Sequence, residues 1–598
     1  MKLSDYVVSF LEKKGIKFTF GVTGGGAMHL NDSFGKSKKI KFIMTHHEQA
    51  ASMAAEGYTR RSGNIGICNV TTGPGGTNSI TGVSGAWIDS IPQLIISGQV
   101  AKKDMINKSS LRQKGIQEIN IIDIVKPVTK YALILKDENR IRYELEKCFY
   151  LSTHGRQGPT WIDIPLDIQA KQISPKSLKP FRPPTKRPIS NKVKFGKILN
   201  LIKKSIRPVI VIGNGVHSSM SYREINSLIN KFNIPVLSSW NASDILKYNH
   251  KKYIGRFGLF GDRASNFTVQ NSDLLIILGS RMSQPQTGYN LSLFAPEANC
   301  IYVDVDKNEI KKFSGKNNLS IVSDLKIFLI NFLKFMSKKN IVNNLNKIHL
   351  NWLNQTLVWK DKYPVVLKKY KSEKKINSFH FIDEISKKLK KNTCIVTDMG
   401  TSFTCTMQTY RPSGEQRLFT SSGLAAMGFG LPGSIGAAFA DKRKDTICIT
   451  GDGGFMFNIQ ELQTIKHYNL PIKIFILCNK GYLTMKLMQK KNFKKFVGST
   501  PESGVSCPDF ENVGKAFKIP SLTIHKNKNI GMLIKNVIKK KGPIICQIIM
   551  QDHQQLIPRV QTKMSKHGKF LPTPIDNLYP YLPEKEYRKN IFYKKKFK

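Results

Sequence analysis

The chain has 598 residues, which exceeds the usual domain size of about 100–200 residues and predicts several domains. Its 40% hydrophobic and 23% charged residues exclude wholesale disorder, because this composition buries enough apolar surface to fold. Lys and Arg total 94 against 41 Asp and Glu, a net charge of +53. The lysines are spread along the chain without one basic stripe, so we expect a solvated basic surface and no nucleic-acid partner.

Cysteine usage and apolar runs indicate the compartment. The nine cysteines include no C-x-x-C pair, which argues against a zinc site or a disulfide framework and fits a reducing cytoplasm. The N-terminal residues have a helical pattern without the apolar core of a signal peptide. No window approaches the ~18 consecutive apolar residues of a membrane span, so we expect a cytoplasmic protein that does not use a membrane.

Three segments alternate short apolar runs with helical patterns, which is typical of βα units that build parallel sheets. The predicted fold class is α/β, with three doubly wound parallel-sheet domains. We expect a first domain at residues 1–173, a central domain at 190–340, a third domain at 375–552 and a C-terminal arm at 553–598. The Pro- and Lys-rich stretch from Pro175 to Pro188 is interpreted as a linker.

The first and third segments share one plan. An apolar run at residues 66–70 leads into a glycine turn at 73–76, and a similar run at 445–450 leads into the turn at 451–454. Each turn is followed by a helical pattern and another apolar run. Two such units on either side of a third would suit one ligand held between the outer pair.

The turn Gly451-Asp452-Gly453 predicts a phosphate and metal site. It follows an apolar strand and opens onto a helix, where free N–H groups point at an anion and glycines let the backbone approach it. Asn479 follows the next apolar strand, 27 residues after Asp452, so both side chains can reach the same edge of the sheet. Carboxylate, amide and carbonyl oxygens suit Mg²⁺.

The string GDGGFMFNIQELQTIKHYNLPIKIFILCN resembles the fingerprint of the thiamine-diphosphate (ThDP) enzymes, with Cys478 in place of the first Asn of the usual pair. The resemblance implies that Asp452, Asn479 and the carbonyl of Gly481 hold Mg²⁺, which grips the diphosphate. It also implies cofactor contacts from the turn and from two further loops, where Met427 is the bulky residue that forces the bent cofactor shape and the hydroxyls of Thr401 and Ser402 can donate to the diphosphate. These contacts are Gly400, Thr401, Ser402, Ala426, Met427, Gly451, Gly453, Gly454 and Gly481.

Glu48 is the candidate proton-relay carboxyl. An acid bonded to the aminopyrimidine ring activates this cofactor best in a dry, apolar setting, and Glu48 precedes a run of small residues. The string HEQAASMAAEGYTR resembles the helix of the family's catalytic glutamate, which argues against the glyoxylate carboligases that lack it. Gln117 in RQKGIQE and Lys130 in VTKY are implied as further catalytic residues.

The middle segment resembles the flavin-holding domain of the acetolactate synthases through VIGNGVHSS, GRFG, LGSRM, VDVD and SDL. The resemblance implies FAD without net redox chemistry, although activity could persist with a decayed pocket. The implied flavin contacts are Arg156, Gly213, Gly215, Gly279, Arg281, Asp304 and Asp324.

The resemblance to acetolactate synthases extends to about residue 555 and implies a carboligase for branched-chain amino acid biosynthesis. Such an enzyme decarboxylates pyruvate and transfers the two-carbon unit to a second 2-keto acid. The segment KGYLTMKLMQKKNF after Asn479 departs from the family pattern. The identity of the acceptor substrate therefore stays open. A keto-sugar nucleotide is an alternative acceptor, and simple decarboxylation is an alternative reaction. From a different class, the chain could be a non-catalytic nucleic-acid-binding protein on an old enzyme scaffold. The family also implies a homodimer or homotetramer, with a small regulatory subunit as an open question.

Overall fold

A computed structural model of the chain describes residues 1–106, 110–184, 195–313, 318–337, 342–441, 445–564, 570–571 and 573–594. Its described residues form three six-stranded parallel sheets and one short antiparallel pair of strands. The three large sheets lie in order within the three segments for which the sequence predicts parallel sheets. The α/β class with three doubly wound domains is confirmed. The predicted linker runs past residue 184 and so lies partly outside the described residues.

The first domain has the strand order β2-β1-β3-β4-β6-β5. Short apolar runs form β3, β4 and β6, which are buried on both faces, as in parallel sheets generally, while the edge strands β2 and β5 are partly exposed. The elements are α1 (Leu3–Lys13), β1 (Phe18–Gly21), α2 (Met28–Lys36), β2 (Lys41–Met44), α3 (Glu48–Ser62), β3 (Gly66–Val70), α4 (Pro74–Asp89), β4 (Gln93–Gln99), α5 (Ile121–Val125), β5 (Tyr131–Ile134), α6 (Ile141–Thr153), β6 (Thr160–Pro165) and α7 (Leu166–Ala170).

The middle domain has the order β12-β11-β10-β7-β8-β9, the arrangement of dinucleotide-binding folds, whose ligands lie where the strand order reverses. That point falls between β7 and β10. The elements are α8 (Phe195–Lys204), β7 (Pro208–Ile212), α9 (Gly215–Ser218), α10 (Tyr222–Lys231), β8 (Val236–Ser238), β9 (Tyr253–Arg256), α11 (Arg263–Gln270), β10 (Leu274–Leu278), α12 (Gln284–Thr287), β11 (Asn299–Asp304), α13 (Lys307–Lys311), β12 (Asn318–Val322), α14 (Leu325–Ser337) and α15 (Val342–Lys362).

The third domain has the order β14-β13-β15-β16-β18-β17, which repeats the strand order of the first domain position by position. The shared plan that the sequence predicts is therefore a shared topology. The elements are α16 (Ser378–Lys388), β13 (Cys394–Thr397), α17 (Thr401–Thr409), β14 (Arg417–Phe419), α18 (Gly430–Ala440), β15 (Thr446–Gly451), α19 (Asp452–Phe455), α20 (Glu461–His467), β16 (Ile472–Cys478), α21 (Leu483–Asn492), α22 (Phe510–Ala516), β17 (Ser521–Ile524), α23 (Ile530–Lys539) and β18 (Ile544–Ile549).

The C-terminal segment lies against the middle domain. It contains β19 (Lys563–Met564), β20 (Phe570–Leu571) and α24 (Glu584–Lys589). Arg263 donates to the carbonyl of Pro580 at 2.7 Å, and Trp359 donates to Oδ1 of Asn590 at 2.8 Å. Within the part of the chain that the structure describes, no helix combines the length and the apolar character that a membrane crossing requires.

Helices α3 and α18 pack face to face and join the first domain to the third. A Cβ atom added to Gly57 would lie 2.1 Å from the carbonyl oxygen of Gly433, and one added to Gly436 would lie 1.8 Å from that of Ala54. Both glycines are therefore required by the close approach of the two backbones. Because position 57 faces 433 while position 54 faces 436, the two helices run in opposite directions.

Because of this antiparallel packing, the carboxyl edges of the first and third sheets face opposite ways. A helix that follows a parallel strand begins at the carboxyl edge of its sheet and runs back towards the amino edge. Glu48, the first residue of α3, lies nine positions before Gly57, and Gly430, the first residue of α18, lies three positions before Gly433 on the other side. At 1.5 Å per residue the two helix starts are separated by roughly 18 Å within one chain.

We expect the substitution Gly436→Ala to destabilise the protein, because the new methyl group would overlap the backbone of α3. Overpacking of this kind costs about 1–3 kcal/mol in the free energy of unfolding. Urea unfolding followed by circular dichroism would measure the loss. Gly35→Ala on α2 is the matched control, since its added Cβ meets nothing within 4 Å. Equal unfolding midpoints for the two variants would contradict the close packing.

Candidate active site

Glu48 begins α3 at the carboxyl edge of the first sheet and is 9% exposed. Its Oε2 atom accepts a hydrogen bond of 3.0 Å from Nδ2 of Asn78, in the second turn of α4. Ala50, Ala51 and Ala54 on the same helix are fully buried. A carboxyl group here lies in an apolar setting with one fixed donor, which is the environment that a proton relay needs.

The corner between β2 and α3 is tied to the third domain. The backbone N–H of His46 donates to Oε1 of Glu461 at 3.0 Å, and Nδ1 of His47 accepts the N–H of Gln49 at the start of the helix. Burial raises the pKa of Glu461 to about 7. The sequence alone does not indicate a role for Asn78 or Glu461, because each side chain contacts a segment that is distant along the chain.

Gln117 lies on the same edge as Glu48. It is exposed and has a left-handed backbone, with φ 63°. A Cβ atom added to Gly73, in the turn after β3, would lie 2.5 Å from the carbonyl oxygen of Gln117. The structure therefore brings Glu48, the Gly73 turn and Gln117 to one edge of the first domain.

Lys130 lies on the opposite edge, immediately before β5. Its Nζ atom donates to the carbonyl oxygens of Leu151 and His154 at the end of α6, the latter at 2.7 Å. Burial lowers the pKa of Lys130 to about 8. Within one chain Lys130 is thus separated from Glu48 by the depth of the sheet.

Asp452 begins α19 at the carboxyl edge of the third sheet and is 2% exposed. Three backbone N–H groups donate to its carboxylate: Gly453 to Oδ1 at 2.9 Å, and Asn479 and Gly481 to Oδ2 at 2.9 and 3.2 Å. Burial raises the pKa of Asp452, and these hydrogen bonds act against that shift. The carboxylate therefore joins the turn after β15 to the turn after β16.

Asn479 is 2% exposed, and its Oδ1 atom is buried without a hydrogen-bond partner. Gly481 has φ 118°, and an added Cβ would lie 2.4 Å from the carbonyl oxygen of Ser499, so only glycine fits. The Nζ atom of the buried Lys486 donates to the carbonyl oxygen of Asn479 at 2.7 Å. Asp452, Asn479 and Gly481 are thus held together, as the sequence spacing predicts.

Asp398 is a structural centre of this edge that the sequence analysis missed. Its Oδ1 atom accepts the N–H groups of Met399 and Gly428, at 2.7 and 3.0 Å, and its Oδ2 atom accepts the hydroxyl of Thr450 at 3.0 Å. It therefore fixes three loops relative to one another. The available signal was its position directly after the apolar strand β13, which matches the position of Asp452 after β15.

The other predicted contacts of the third domain lie on these loops. Gly400 has φ 80° and precedes α17, while Thr401 and Ser402 form its buried start. The hydroxyl of Ser402 donates to the backbone carbonyls of Asp398 and Met399, at 3.1 and 3.0 Å, so it is already engaged. Ala426 and Met427 are half-buried in the loop before α18.

A second set of predicted residues surrounds two adjoining cavities of about 220 and 320 Å³ at the middle domain. Both lie at the point where the strand order reverses. Gly279 has φ 59°, and an added Cβ on Gly213 would lie 2.1 Å from its carbonyl oxygen, so these turns pack closely. Of the predicted flavin contacts, the lining includes Arg156, Gly215, Gly279, Arg281, Asp304 and Asp324.

These cavities lie between the domains. Nη1 of Arg156, from the first domain, is 2.8 Å from carboxylate oxygens of both Asp306 and Glu309. Arg281 donates to the carbonyl oxygen of Ile88 at 2.8 Å. Burial raises the pKa of Asp304 to about 6. The first domain therefore closes one side of the pocket.

Comparison with known proteins gives three family matches. The thiamine pyrophosphate enzyme N-terminal TPP binding domain matches residues 1–124, the central domain 195–332 and the C-terminal TPP binding domain 398–548. Thiamine pyrophosphate, or TPP, is another name for ThDP.

Individual relatives cover nearly the whole chain. The acetolactate synthase large subunit of Cyanidium caldarium is 32% identical over 568 residues, 93% of this chain and 94% of the relative. Acetolactate synthase 3, chloroplastic, of Brassica napus is 31% identical over 575 residues, 94% of this chain and 85% of the relative. The acetolactate synthase large subunit of Buchnera aphidicola is 31% identical over 566 residues, 93% of this chain and 96% of the relative.

The carboxyl edge of the third domain fits a divalent cation and a diphosphate. The Oδ1 atom of Asn479, which has no hydrogen-bond partner, and the buried carboxylate of Asp452 are hard oxygen ligands of the kind that Mg²⁺ prefers. Cβ atoms added to Gly400 and Gly451 would meet nothing within 4 Å, so open space adjoins both turns. Among the described residues no group of three or more His, Cys, Asp or Glu is placed to hold a metal ion.

We expect Asn479→Ala to weaken Mg²⁺-dependent binding of ThDP by more than ~10-fold, the effect of losing even an outer-shell partner of a metal. The cofactor-free protein should be no less stable, because the substitution removes a buried acceptor without a partner. Titration calorimetry and urea unfolding measure the two effects. Asn249→Ala, at an exposed position, is the control. Unchanged ThDP affinity would exclude Asn479 as a metal ligand.

Proposed function

Since the chain belongs to the thiamine pyrophosphate enzymes, in the family of the acetolactate synthase large subunits, we propose that it joins two 2-keto acids after decarboxylating one of them. It is an acetolactate synthase-like, ThDP-dependent carboligase. We propose pyruvate as the donor and a second 2-keto acid as the acceptor, in the biosynthesis of branched-chain amino acids. The observation that carries this proposal is the buried Asp452–Asn479 pair on one sheet edge together with the buried Glu48 on another.

ThDP, when bound, would supply a nucleophilic carbon for addition to the keto group and an acceptor for the electrons released with CO₂. Asp452, the side chain of Asn479 and the carbonyl of Gly481 would hold Mg²⁺ and, through it, the diphosphate. The carboxyl of Glu48 would hold a proton on the pyrimidine ring nitrogen, while Asn78 keeps one of its oxygens fixed. The half-buried side chain of Met427 would force the bent shape of the bound cofactor.

Helix α21 is the proposed wall of the acceptor pocket. It begins two residues after Gly481, and its Met485 and Met488 are 39% and 43% exposed, on one face of the helix. Apolar side chains there would exclude water from the reacting groups, which protects the two-carbon unit from protonation. Substitution at Met488 would therefore change the choice of acceptor more than the use of pyruvate.

The middle-domain cavities are proposed to hold FAD. Buried Oδ1 of Asn214 has no partner and lines the first cavity, together with Arg281 and Gln286. These donors and acceptors, beside close-packed glycine turns at a strand-order reversal, suit a dinucleotide. We propose a structural role for FAD, since the carboligation has no net redox change.

We propose that the active enzyme is at least a homodimer. In one chain Glu48 and the metal site lie at opposite ends of the α3–α18 pair, so neither end is complete. The two ends also expose large apolar side chains, which is typical of interaction surfaces. They are Met28, Met44 and Ile116 near Glu48, and Leu424, Met456 and Phe457 near the metal site.

A second copy in the reverse orientation would bring Glu48 of one chain to Asp452 of the other. Lys130 lies on the metal-site side and would join Glu48 of the other chain there.

With pyruvate, ThDP and Mg²⁺ we expect acetolactate and CO₂, and acetohydroxybutyrate when 2-ketobutyrate is added. Product analysis by mass spectrometry measures both. Glu48→Gln should lower the rate about 10²–10⁴-fold, the usual contribution of general acid–base catalysis. Acetaldehyde alone would indicate a decarboxylase, and a product formed only with a keto-sugar nucleotide would indicate that acceptor; either result overturns the proposed reaction.

The dimer proposal predicts complementation between inactive chains. A heterodimer of a Glu48→Gln chain and an Asp452→Ala chain retains one intact site, so we expect about half of the wild-type activity. A heterodimer with both substitutions on one chain loses both sites. The two species can be purified with different affinity tags and assayed for acetolactate. Activity in the second species and none in the first would mean that each site forms within one chain.

A further inference from the structure

One contact joins the metal-binding segment of the third domain to the segment that carries Glu48. Glu461, the first residue of α20, is 0% exposed. Its Oε1 atom accepts the backbone N–H of His46 at 3.0 Å, two residues before Glu48, and its Oε2 atom accepts the hydroxyl of Thr464 at 2.7 Å. A buried carboxyl group whose two oxygens both accept hydrogen bonds is a directional anchor, because losing either partner would leave a buried polar atom unpaired.

A second hydrogen bond joins the same two segments. The backbone N–H of Met44, the last residue of β2, donates to the hydroxyl oxygen of Tyr468 at 3.1 Å, directly after α20. The corner between β2 and α3 is thus held at two points by one helix of the third domain. The orientation of the first turn of α3, which carries Glu48, therefore depends on that helix.

The same segment also carries the metal site. Glu461 follows Asp452 by nine residues, and the intervening chain is helical in short pieces, with Phe455 and Leu462 buried in the core shared by the two domains. Asp452 and Glu461 therefore lie at the two ends of one well-packed segment.

We propose that Glu461 is a positioning residue for Glu48. This inference rests on the proposed homodimer, in which Glu48 and Asp452 of one chain serve different sites. In that dimer Glu461 would act on the site that contains Glu48 of its own chain. Glu461 itself touches neither the substrate nor the cofactor in this proposal.

The first test uses Glu461→Ala in the full-length protein, with Glu461→Gln as the conservative variant that keeps an acceptor oxygen for the N–H of His46. We expect exchange of the cofactor's C2 proton to slow by about 10–100-fold in Glu461→Ala and by less in Glu461→Gln, since a displacement near 1 Å of a catalytic group has effects of this size. The affinity for Mg²⁺ and ThDP should change by less than about threefold, because Asp452 and Asn479 are intact. Quenched-flow proton NMR and titration calorimetry measure these quantities.

Hydrogen exchange in the cofactor-free protein gives a readout that is independent of activity. In Glu461→Ala the N–H of His46 loses its acceptor, so peptides covering residues 44–50 should exchange faster by mass spectrometry. Glu144→Gln is the control, since Glu144 is a buried carboxylate on α6 that bonds Tyr131 and Arg140. Unchanged exchange of both the C2 proton and the corner peptide would overturn the proposal, as would an equal loss of ThDP affinity.

Heterodimers show which site Glu461 serves. One chain carries Asp452→Ala, so the single remaining site uses Glu48 of that chain and the metal half of its partner. Glu461→Ala on the Asp452→Ala chain should slow this site, whereas Glu461→Ala on the partner should leave it at full rate. The reverse pattern, or equal rates, would overturn the positioning role of Glu461. Absence of complementation between the Glu48→Gln and Asp452→Ala chains would instead reject the dimer itself.

Discussion

The close antiparallel packing of α3 against α18 is the constraint on which the rest of the structure depends. Glycines at positions 57 and 436 let the two backbones approach to a distance that no side chain would allow. Because the helices run in opposite directions, the functional edges of the first and third sheets face opposite ways. One apolar core spans both domains, so this orientation is as rigid as a domain interior.

Buried carboxylates organise each edge by collecting backbone N–H groups from several loops. Asp452 joins the turns after β15 and β16, Asp398 joins the loops around β13, and Glu461 reaches across to the first domain. A buried acid is costly unless its oxygens are satisfied, so each one restricts the loops that supply its donors. The residues proposed to hold the cofactor are fixed in this way before any ligand binds.

Some of the residues around the middle-domain cavities come from that domain's own strand ends, and others come from the first and third domains. Its glycine turns and acidic residues could be assigned from sequence strings, since they lie within a few residues of their strands. Arg156 and Ser422 come from the other two domains, and Asp89 accepts hydrogen bonds from Ser422 and Arg60 beside the same pocket. Such contacts depend on how the domains pack, which no string of neighbouring residues records.

The sequence by itself determined the three α/β domains, their repeated plan, the Asp452–Asn479 pair and the candidate role of Glu48. These follow from local physics, because apolar runs form buried strands and the residue after a parallel strand lies at the carboxyl edge. Only the tertiary structure decided that Lys130 lies on the edge opposite Glu48, that Asp398 and Glu461 anchor the loops, and that Glu48 and Asp452 lie at opposite ends of the α3–α18 pair. Those facts depend on the direction in which α3 crosses α18, and that direction is set by contacts between residues almost 380 positions apart.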